Sequence, residues 1–119
     1  MLSTTLKNLV ESIPGAHGAI LMGFDGITVD QYLKSQETDI GTLATELSVH
    51  FMDMRKTIDE SLGLGQVSDI SLRTEQGTVL VRCLSEEFFV VLLLDQAGNS
   101  GKGRWKLRMA DPEIRAQLL

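Results

Sequence analysis

The sequence predicts an α+β fold, in which a five-stranded antiparallel sheet forms the middle layer of a three-layer α/β/α sandwich. Two short runs, residues 18–24 and 88–94, are apolar on both alternating faces, which is typical of central strands covered from both sides. Residues 39–62 repeat apolar side chains at helical spacing and predict one long amphipathic helix. After that helix the connections are so short that the last strands must form an antiparallel meander.

The length and composition fit one globular domain spanning residues 1–119. A chain of 119 residues can bury a single core of ordinary size but has no room for two. Its hydrophobic fraction of 43% and its charged fraction of 23% are those of a folded protein, so extended disorder is excluded.

Charge, cysteine content and hydropathy indicate which kinds of partner the protein can bind and in which cellular compartment it folds. A net charge of −5 argues against a nucleic-acid surface, because phosphate binding depends on clustered Lys and Arg. The single cysteine, Cys83, excludes an internal disulfide and suits a reducing compartment. No run approaches the ~18 apolar residues of a membrane span, and residues 1–10 lack the apolar block of a signal peptide. We therefore expect a cytoplasmic protein that inserts into no membrane.

The first elements are a short helix and a hairpin. Residues 2–12 form an amphipathic helix that a Pro-Gly pair closes. The strands at 18–24 and 27–33 flank Asp25 and Gly26, a pair typical of a two-residue type I′ turn. The second strand carries more polar groups, which favours a place at the edge of the sheet.

The long helix begins at Asp39, a residue type that favours the N-cap position, and ends at Gly63 and Gly65. Its apolar residues fall on one stripe, which predicts packing against the sheet over the whole length of the helix. At about 1.5 Å per residue, such a helix crosses the full width of a small domain. The predicted core stripe comprises Ile40, Leu43, Ala44, Leu47, Phe51, Met54, Ile58 and Leu62.

The C-terminal half contains the meander and a last helix. Strands at 66–74 and 78–84 precede the apolar strand already described, and the first of them is an edge strand because its two faces differ in polarity. The last helix starts near Gly101, and Pro112 is expected to kink or restart it behind an N-cap at Asp111. The resulting order is α-β-β-α-β-β-β-α, with helices on both faces of the sheet.

One face of the long helix points away from its core stripe. A rotation of roughly 100° per residue places Val49 and Met52 on that face, beside Thr45 and Lys56. Single exposed apolar residues are common, but an adaptable Met within such a stripe favours contact with a partner. The edge strand at 66–74 has no proline and little charge to block pairing, so a homodimer through this strand and the helix is predicted. The expected interface comprises Thr45, Val49, Met52, Lys56, Val67, Asp69, Ile70, Ser71 and Arg73.

Signatures of catalysis, metal binding and nucleotide binding are weak. His17 and His50 have no second ligand at metal spacing, and Cys83 lies in a predicted strand with no base identifiable beside it. The segment DQAGNSGKGRW at residues 95–105 resembles a phosphate-binding loop but lacks the first Gly and the hydroxyl that such a loop requires. Its glycines are expected to turn the chain and let the last helix start close to the sheet. We therefore expect no catalytic residue, no cofactor and no metal.

Several segments together resemble the Roadblock/dynein-light-chain family, in the stand-alone prokaryotic branch that includes proteins of the MglB type. They are the helix that Asp39 begins, IPGAHGAILMGFDGI at residues 13–27, FVVLLL at 89–94 and GNSGKGR at 98–104. The resemblance covers nearly the whole chain and implies a Roadblock/profilin-like fold.

The resemblance also implies a function. It implies a non-enzymatic homodimer that binds a Ras-like small GTPase of the MglA type. Such a dimer acts as a GTPase-activating or co-activating partner that stabilises the GTPase's own catalytic residues without inserting an arginine finger. The contacts expected with the GTPase are Met52, Arg55, Lys56 and Asp59. If an arginine of this protein did act on the bound GTPase as a finger, the mid-domain candidates in the sequence would be Arg55, Arg73 and Arg82.

Two other functions stay open at the level of the sequence. A scaffold in a larger complex would use the same surfaces without activating a GTPase. A small-molecule sensor would need a cavity with convergent polar groups, whereas the two central strands are almost wholly apolar.

Overall fold

Helices and strands follow one another in the predicted order, which confirms the α+β sandwich. The computed structural model describes residues 2–35 and 39–118, so the ends of the predicted domain 1–119 lie outside the described residues. The helices are α1 (Leu2–Glu11), α2 (Ile40–Lys56), which a π-helical turn (Thr57–Ser61) extends, and α3 (Ser100–Leu118). The strands are β1 (Ala16–Gly23), β2 (Thr28–Leu33), β3 (Asp69–Arg73), β4 (Gly77–Cys83) and β5 (Phe88–Asp95). None of the described helices is long and apolar enough to cross a membrane.

The sheet has five antiparallel strands in the order β2-β1-β5-β4-β3. β1 and β5 lie side by side within it, and their register pairs Ile20 with Val91 and Leu21 with Val90. These side chains are fully buried, because each strand directs alternate residues to opposite faces and both faces are covered. The predicted central positions of both strands are confirmed.

Helices cover the sheet from both sides and complete the predicted three layers. α1 and α3 pack on one face, where Leu6, Leu107 and Ile114 belong to the same core cluster. α2 packs on the other face, where Phe51 meets Phe89 edge to face with ring centroids 5.7 Å apart. Burial of each such side chain contributes about 1.5–3 kcal/mol, so the two clusters hold the helices to the sheet.

The first half of α2 follows the prediction, but the second half departs from it. The Asp39 carboxylate caps the helix by accepting a hydrogen bond of 2.9 Å from the Thr42 backbone N–H. The predicted core stripe is buried or half-buried as far as Phe51, whereas Met54 and Leu62 are 42% and 59% exposed. The predicted core positions Met54 and Leu62 are therefore wrong, because the helix runs beyond the surface on which it packs, whereas Ile58 is still half-buried.

The β1–β2 connection is wider than the predicted type I′ turn. Gly26 N–H donates to the Gly23 carbonyl and Gly23 N–H donates to the Ile27 carbonyl, both at 2.9 Å. A type I′ turn needs a positive φ at both central residues, here Asp25 and Gly26. Gly26 has a φ of 88°, but Asp25 does not have a positive φ, because among the described residues only glycines do. The geometry is that of a type I turn followed by a glycine bulge. Asp25 keeps its predicted role as a turn residue, since its Oδ1 accepts from Ile27 N–H at 3.0 Å.

β3 is shorter than predicted but keeps its predicted faces and its edge position. It covers Asp69–Arg73 in place of residues 66–74, and it is the last strand on one side of the sheet. Ile70 is buried toward α2, whereas Ser71 and Arg73 are exposed on the opposite face. The alternation of side chains along a strand accounts for this division.

α3 is one continuous helix, so the predicted restart at Pro112 is wrong. The helix begins behind Asn99, whose side-chain oxygen accepts from Lys102 N–H at 2.9 Å. Gly103 lies close against the sheet, as predicted, since a Cβ at this position would lie 2.8 Å from Leu80 Cδ1. A larger residue would displace the leucine or push the helix away from the sheet.

Asp111, predicted to be an N-cap, is instead the centre of a buried ionic network. Its carboxylate accepts from Arg82 Nε at 2.7 Å and also from Arg115 in the next turn of α3. Arg82 in addition lies 3.6 Å from Asp69 on the edge strand. Burial raises the pKa of Asp111, but hydrogen bonds from Arg115 and Arg82 outweigh it and lower the pKa below its usual value. The network therefore joins α3 to strands β3 and β4.

We predict that Arg82→Met lowers the free energy of unfolding by roughly 3 kcal/mol, because Asp111 then keeps only Arg115 to balance its buried charge. Urea unfolding at neutral pH measures the loss, and Lys34→Met, at an exposed position outside the predicted dimer interface, is the control. The native pKa of Asp111 is lowered, so the stabilisation is present above the unfolded pKa of about 4 and is lost as the pH falls through the native pKa. The stability gap between wild type and Arg82→Met should therefore close in acid, and an unchanged gap would contradict the ion pair.

Candidate protein-interaction surface

The outer face of α2 carries the helical residues predicted for contact with a partner. Spacings of four, three and four residues bring Thr45, Val49, Met52 and Lys56 onto one stripe, and all of them are exposed. Val49 is 61% and Met52 is 49% exposed, although both are apolar. The core side of the helix, marked by Phe51, is turned roughly 140° away from this stripe. The stripe therefore exposes apolar surface that the sheet of its own chain does not cover.

The predicted strand part of the interface divides into three kinds of residue. Asp69, Ser71 and Arg73 are exposed on the face of β3 that points away from α2. Ile70 is 9% exposed and belongs to the core beneath α2, so it can offer a partner its backbone but not its side chain. Val67 is half-buried and precedes the strand, because β3 begins at Asp69.

A groove runs between the end of α2 and the segment that leads into β3. It has a volume of about 260 Å³ and contains all of the residues predicted for GTPase contact, together with Val67 of the predicted dimer interface. Residues distant in sequence meet here because the chain turns back after α2 at Gly63 and Gly65, whose φ values are 62° and 83°. The groove, called the α2 groove below, is lined by Met52, Arg55, Lys56, Asp59, Glu60, Gln66, Val67 and Glu86.

Arg55 forms one wall of the α2 groove and braces the loops around it. Its guanidinium carbon lies 4.1 Å from the centroid of the Phe24 ring, and its Nη1 donates to the Glu86 carbonyl at 3.2 Å. Phe24 in turn packs on Phe89, with ring centroids 4.7 Å apart. The arginine therefore links α2 to the β1–β2 turn and to the β4–β5 turn, and these contacts are lost if it swings free.

The other two arginines considered as fingers lie elsewhere. Arg82 is held by Asp111 and Asp69 on the α3 side of the sheet. Arg73 is exposed at the end of β3 and shares the strand face of Asp69, four residues earlier. Neither residue lines the α2 groove. Arg55 and Arg82 both line a smaller cavity of about 170 Å³, but Arg73 does not, so the three arginines do not converge on one site.

Beyond its last α-helical residue, α2 continues as a π-helical turn, and exposed apolar side chains follow that turn. The turn Thr57–Ser61 is π-helical, a rare form that is often found at functional positions, and it contains Asp59. After this turn Leu62 and Leu64 are 59% and 74% exposed. Periodicity alone assigned Leu62 to the core and contained no sign of its exposure. Leu64 lies between two glycines, a pattern typical of an exposed loop. The exposure of Leu64 could therefore have been predicted from the sequence.

Groups that could carry chemistry are buried or dispersed. Cys83 is 8% exposed, and burial is the main reason that the pKa of its thiol is raised, so the thiol stays protonated at neutral pH. His17 lies at the surface 3.7 Å from Asp95, and His50 is exposed on α2. Across residues 2–35 and 39–118, no group of three or more His, Cys, Asp or Glu side chains is placed to hold a metal ion.

The glycine-rich segment after β5 uses its backbone groups within the protein. The Asp95 side chain accepts from Ala97 N–H at 2.9 Å, and the Asp95 carbonyl accepts from Gly98 N–H at 3.0 Å. Asp95 N–H donates to the Gly15 carbonyl at 2.8 Å, and a Cβ on Gly15 would lie 2.7 Å from Gly98 Cα. The segment is therefore a turn packed on the α1–β1 connection, in agreement with its predicted role.

Solved structures match this chain, whereas no known family profile and no curated protein does. MglC from Myxococcus xanthus shares 34% sequence identity, with 96% of each chain covered and a TM-score of 0.70. A Roadblock/LC7 domain from Streptomyces avermitilis shares 15% identity, covers 98% of this chain and 96% of its own, and has a TM-score of 0.86. A structure described as MglB with tetrameric arrangement shares 18% identity, covers 93% of this chain and 82% of its own, and has a TM-score of 0.81.

One of the three matches supports a relationship in sequence, and the other two support the fold. The identity of 34% with MglC extends over nearly the whole chain and makes it a relative in sequence as well as in shape. The other two share little sequence but superpose more closely, so they report on the fold. The Roadblock/profilin-like arrangement expected from the sequence is therefore confirmed.

Proposed function

Since the chain belongs to the Roadblock/LC7 family, we propose that it is a homodimeric, non-enzymatic regulator of a Ras-like small GTPase of the MglA type. The observation that carries the proposal is the α2 groove, where residues expected to contact the GTPase lie beside residues expected at the dimer interface. The tetrameric arrangement of the related MglB supports self-association. The protein works in the cytoplasm, where its partner binds nucleotide, and it needs no cofactor or metal of its own.

In the proposed dimer, each chain covers the edge strand β3 and the exposed α2 stripe of the other. β3 is the last strand on its side, and such an edge presents backbone N–H and C=O groups that readily pair with another strand. Pairing of β3 with its own copy around a two-fold axis extends the sheet across both chains and brings the two α2 stripes side by side. Val49, which is 61% exposed in one chain, then leaves water.

The two α2 grooves of the dimer form the surface offered to the GTPase. Each groove combines the apolar Met52 with the charged Arg55, Lys56 and Asp59, and mixed surfaces of this kind are usual in non-obligate interfaces. Asp59 is exposed in the π-helical turn, so its carboxylate is accessible to a partner. Regulation needs an interface that forms and dissociates, and this composition suits it.

The arginines favour stimulation without a finger. A finger raises GTP hydrolysis by about 10³ or more, but its guanidinium must reach into the GTPase's own site. Arg55 is braced by Phe24 and Glu86, and Arg82 is held by Asp111. Arg73 is exposed but lies in the proposed dimer interface. The protein therefore acts by stabilising the catalytic residues of its partner. Binding without acceleration, as in a scaffold, is the alternative that uses the same surface.

The second alternative, a small-molecule sensor, has less support. A sensor needs a cavity with convergent polar groups. The sheet faces are instead filled by apolar side chains, and Ile20, Val91 and Leu92 are 0% exposed against the helices.

We expect Val49→Asp to convert the dimer into monomers, because the new carboxylate would be buried at the two-fold contact without a partner. Light scattering measures the mass. The matched control is His50→Asp, which introduces the same side chain at the neighbouring exposed position outside the stripe and should remain dimeric. Dimers in both variants would place the interface elsewhere on the molecule.

We expect Asp59→Lys to weaken binding of an MglA-like GTPase from the same genome by at least about tenfold, because it reverses a charge inside the α2 groove. Biolayer interferometry with GDP-loaded and GTP-loaded GTPase measures the affinity. Glu75→Lys carries the same charge change in the β3–β4 turn and is the control. Asp59 lies outside the expected dimer interface, so the variant should keep the dimer mass. Absence of wild-type binding in both nucleotide states would exclude the GTPase as partner.

We expect Arg55→Met to reduce any acceleration of GTP hydrolysis by no more than about tenfold, well short of the 10³ or more that removal of a finger costs. The side chain is already engaged by Phe24 and Glu86, so it is not free to enter the GTPase. Single-turnover hydrolysis with saturating dimer measures the rate. A loss near 10³ would identify Arg55 as a finger after all, and a wild-type protein that binds without acceleration would be a scaffold.

A further inference from the structure

A second cleft lies on the opposite side of the sheet from α2, between α3 and the edge strand β3. Its volume is about 290 Å³. Arg104, Trp105 and Arg108 of α3 form one wall, and Asp69 and Arg82 form part of the floor. We call it the α3 cleft. Its α3 wall shares no residue with the surfaces proposed for the dimer or the GTPase, so the two proposals are tested by separate variants.

The wall of the α3 cleft is positively charged in a protein whose net charge is −5. Arg104 and Arg108 are exposed one helical turn apart, and neither forms an ion pair within residues 2–35 and 39–118. Lys102 and Lys106 extend the positive charge along the same helix. Arg82 on the floor is already balanced by two carboxylates. The two arginines of the wall are therefore available to an acidic ligand.

Trp105 adds an apolar contact between these two arginines. It is the single tryptophan of the chain and is 56% exposed. Met109, one turn further along α3, is 61% exposed and continues the apolar surface. Tryptophan and arginine are among the residues most enriched at the centres of protein interfaces. The wall thus combines an anchor for an apolar side chain with charges that select carboxylates.

We propose that the α3 cleft binds an acidic segment of a partner protein, whose carboxylates pair with Arg104 and Arg108 and whose apolar side chain packs on Trp105. The planar guanidinium group holds a carboxylate through two parallel hydrogen bonds, which makes arginine selective for this ligand. A nucleic acid is disfavoured, because it requires many phosphate contacts and the wall of the cleft offers only two arginines. An anionic bilayer is disfavoured as well, because a concave cleft suits a peptide better than a flat membrane.

Trp105 supplies the signal for the test, because no other tryptophan contributes to the emission. The probe is a synthetic Glu-rich peptide with one Phe, and the comparison peptide carries Gln in place of every Glu. We expect the Glu peptide to shift the emission to shorter wavelength in a saturable manner and to bind at least about tenfold more tightly than the Gln peptide. Added salt should weaken binding of the Glu peptide, because it screens the attraction between the carboxylates and the arginines. Equal affinity of the two peptides would overturn the proposal.

Charge reversal tests whether the peptide occupies this cleft. The double variant Arg104→Glu and Arg108→Glu should lose at least about tenfold in affinity. The double variant Lys7→Glu and Lys34→Glu makes the same net-charge change at exposed positions elsewhere and should bind as wild type does. Equal losses in both would mean that net charge alone is responsible. If circular dichroism reports an unfolded arginine variant, Trp105→Ala with a fluorescein-labelled peptide replaces it, and unchanged binding would reject the cleft.

Other occupants are outcomes of the same titration. An oligonucleotide or phosphatidylserine vesicles that displace the Glu peptide at lower concentration would overturn the proposal in favour of a phosphate ligand. A concentration-dependent rise in mass that the double arginine variant abolishes would make a second copy of this chain the occupant. Val49→Asp should bind the Glu peptide as wild type does, so failure of the proposed dimer leaves this inference standing.

Discussion

The burial of two neighbouring strands on both faces is the constraint on which the rest of the structure depends. β1 and β5 lie side by side, and residues such as Ile20, Leu21, Val90 and Val91 have no exposed surface. Side chains that alternate between two apolar faces require a helical layer on each side. α1 and α3 supply one layer and the first half of α2 supplies the other, which leaves their outer faces and the edge of β3 for other proteins.

Features set by local pattern could be predicted from the sequence. The two central strands are apolar without alternation, the cap at Asp39 has a favoured residue type, and the exposed stripe of Val49 and Met52 follows from helical geometry. Gly103 was likewise predictable as a point of close approach. Each of these depends on neighbours within a few turns or on the period of one element, so distant parts of the chain do not alter it.

Features decided by distant contacts could not be predicted in this way. Pro112 costs about 3 kcal/mol inside a helix, yet α3 continues through it because Leu107 and Ile114 are buried on either side and Asp111 is paired with Arg82. Periodicity identified the side of α2 that faces the core but not where the sheet beneath it ends. The α2 groove combines one helix with Val67 and Glu86, and the proximity of such segments depends on the tertiary fold.

One guanidinium connects the edge strand β3 with α3 on the same face of the sheet. Arg82 lies on β4, has its Nη1 3.6 Å from the Asp69 carboxylate on the edge strand, and donates a hydrogen bond of 2.7 Å from Nε to the Asp111 carboxylate in α3. Asp69 belongs to the edge through which we propose dimerisation, and it also forms part of the floor of the α3 cleft. The positions of the edge strand and of the α3 wall are therefore set by the same ion network. A partially buried arginine shared by two carboxylates can keep both elements in place only while both contacts persist, because a lost partner leaves a buried charge unbalanced. The geometry of the two proposed surfaces thus has a common structural origin, although their ligands are different.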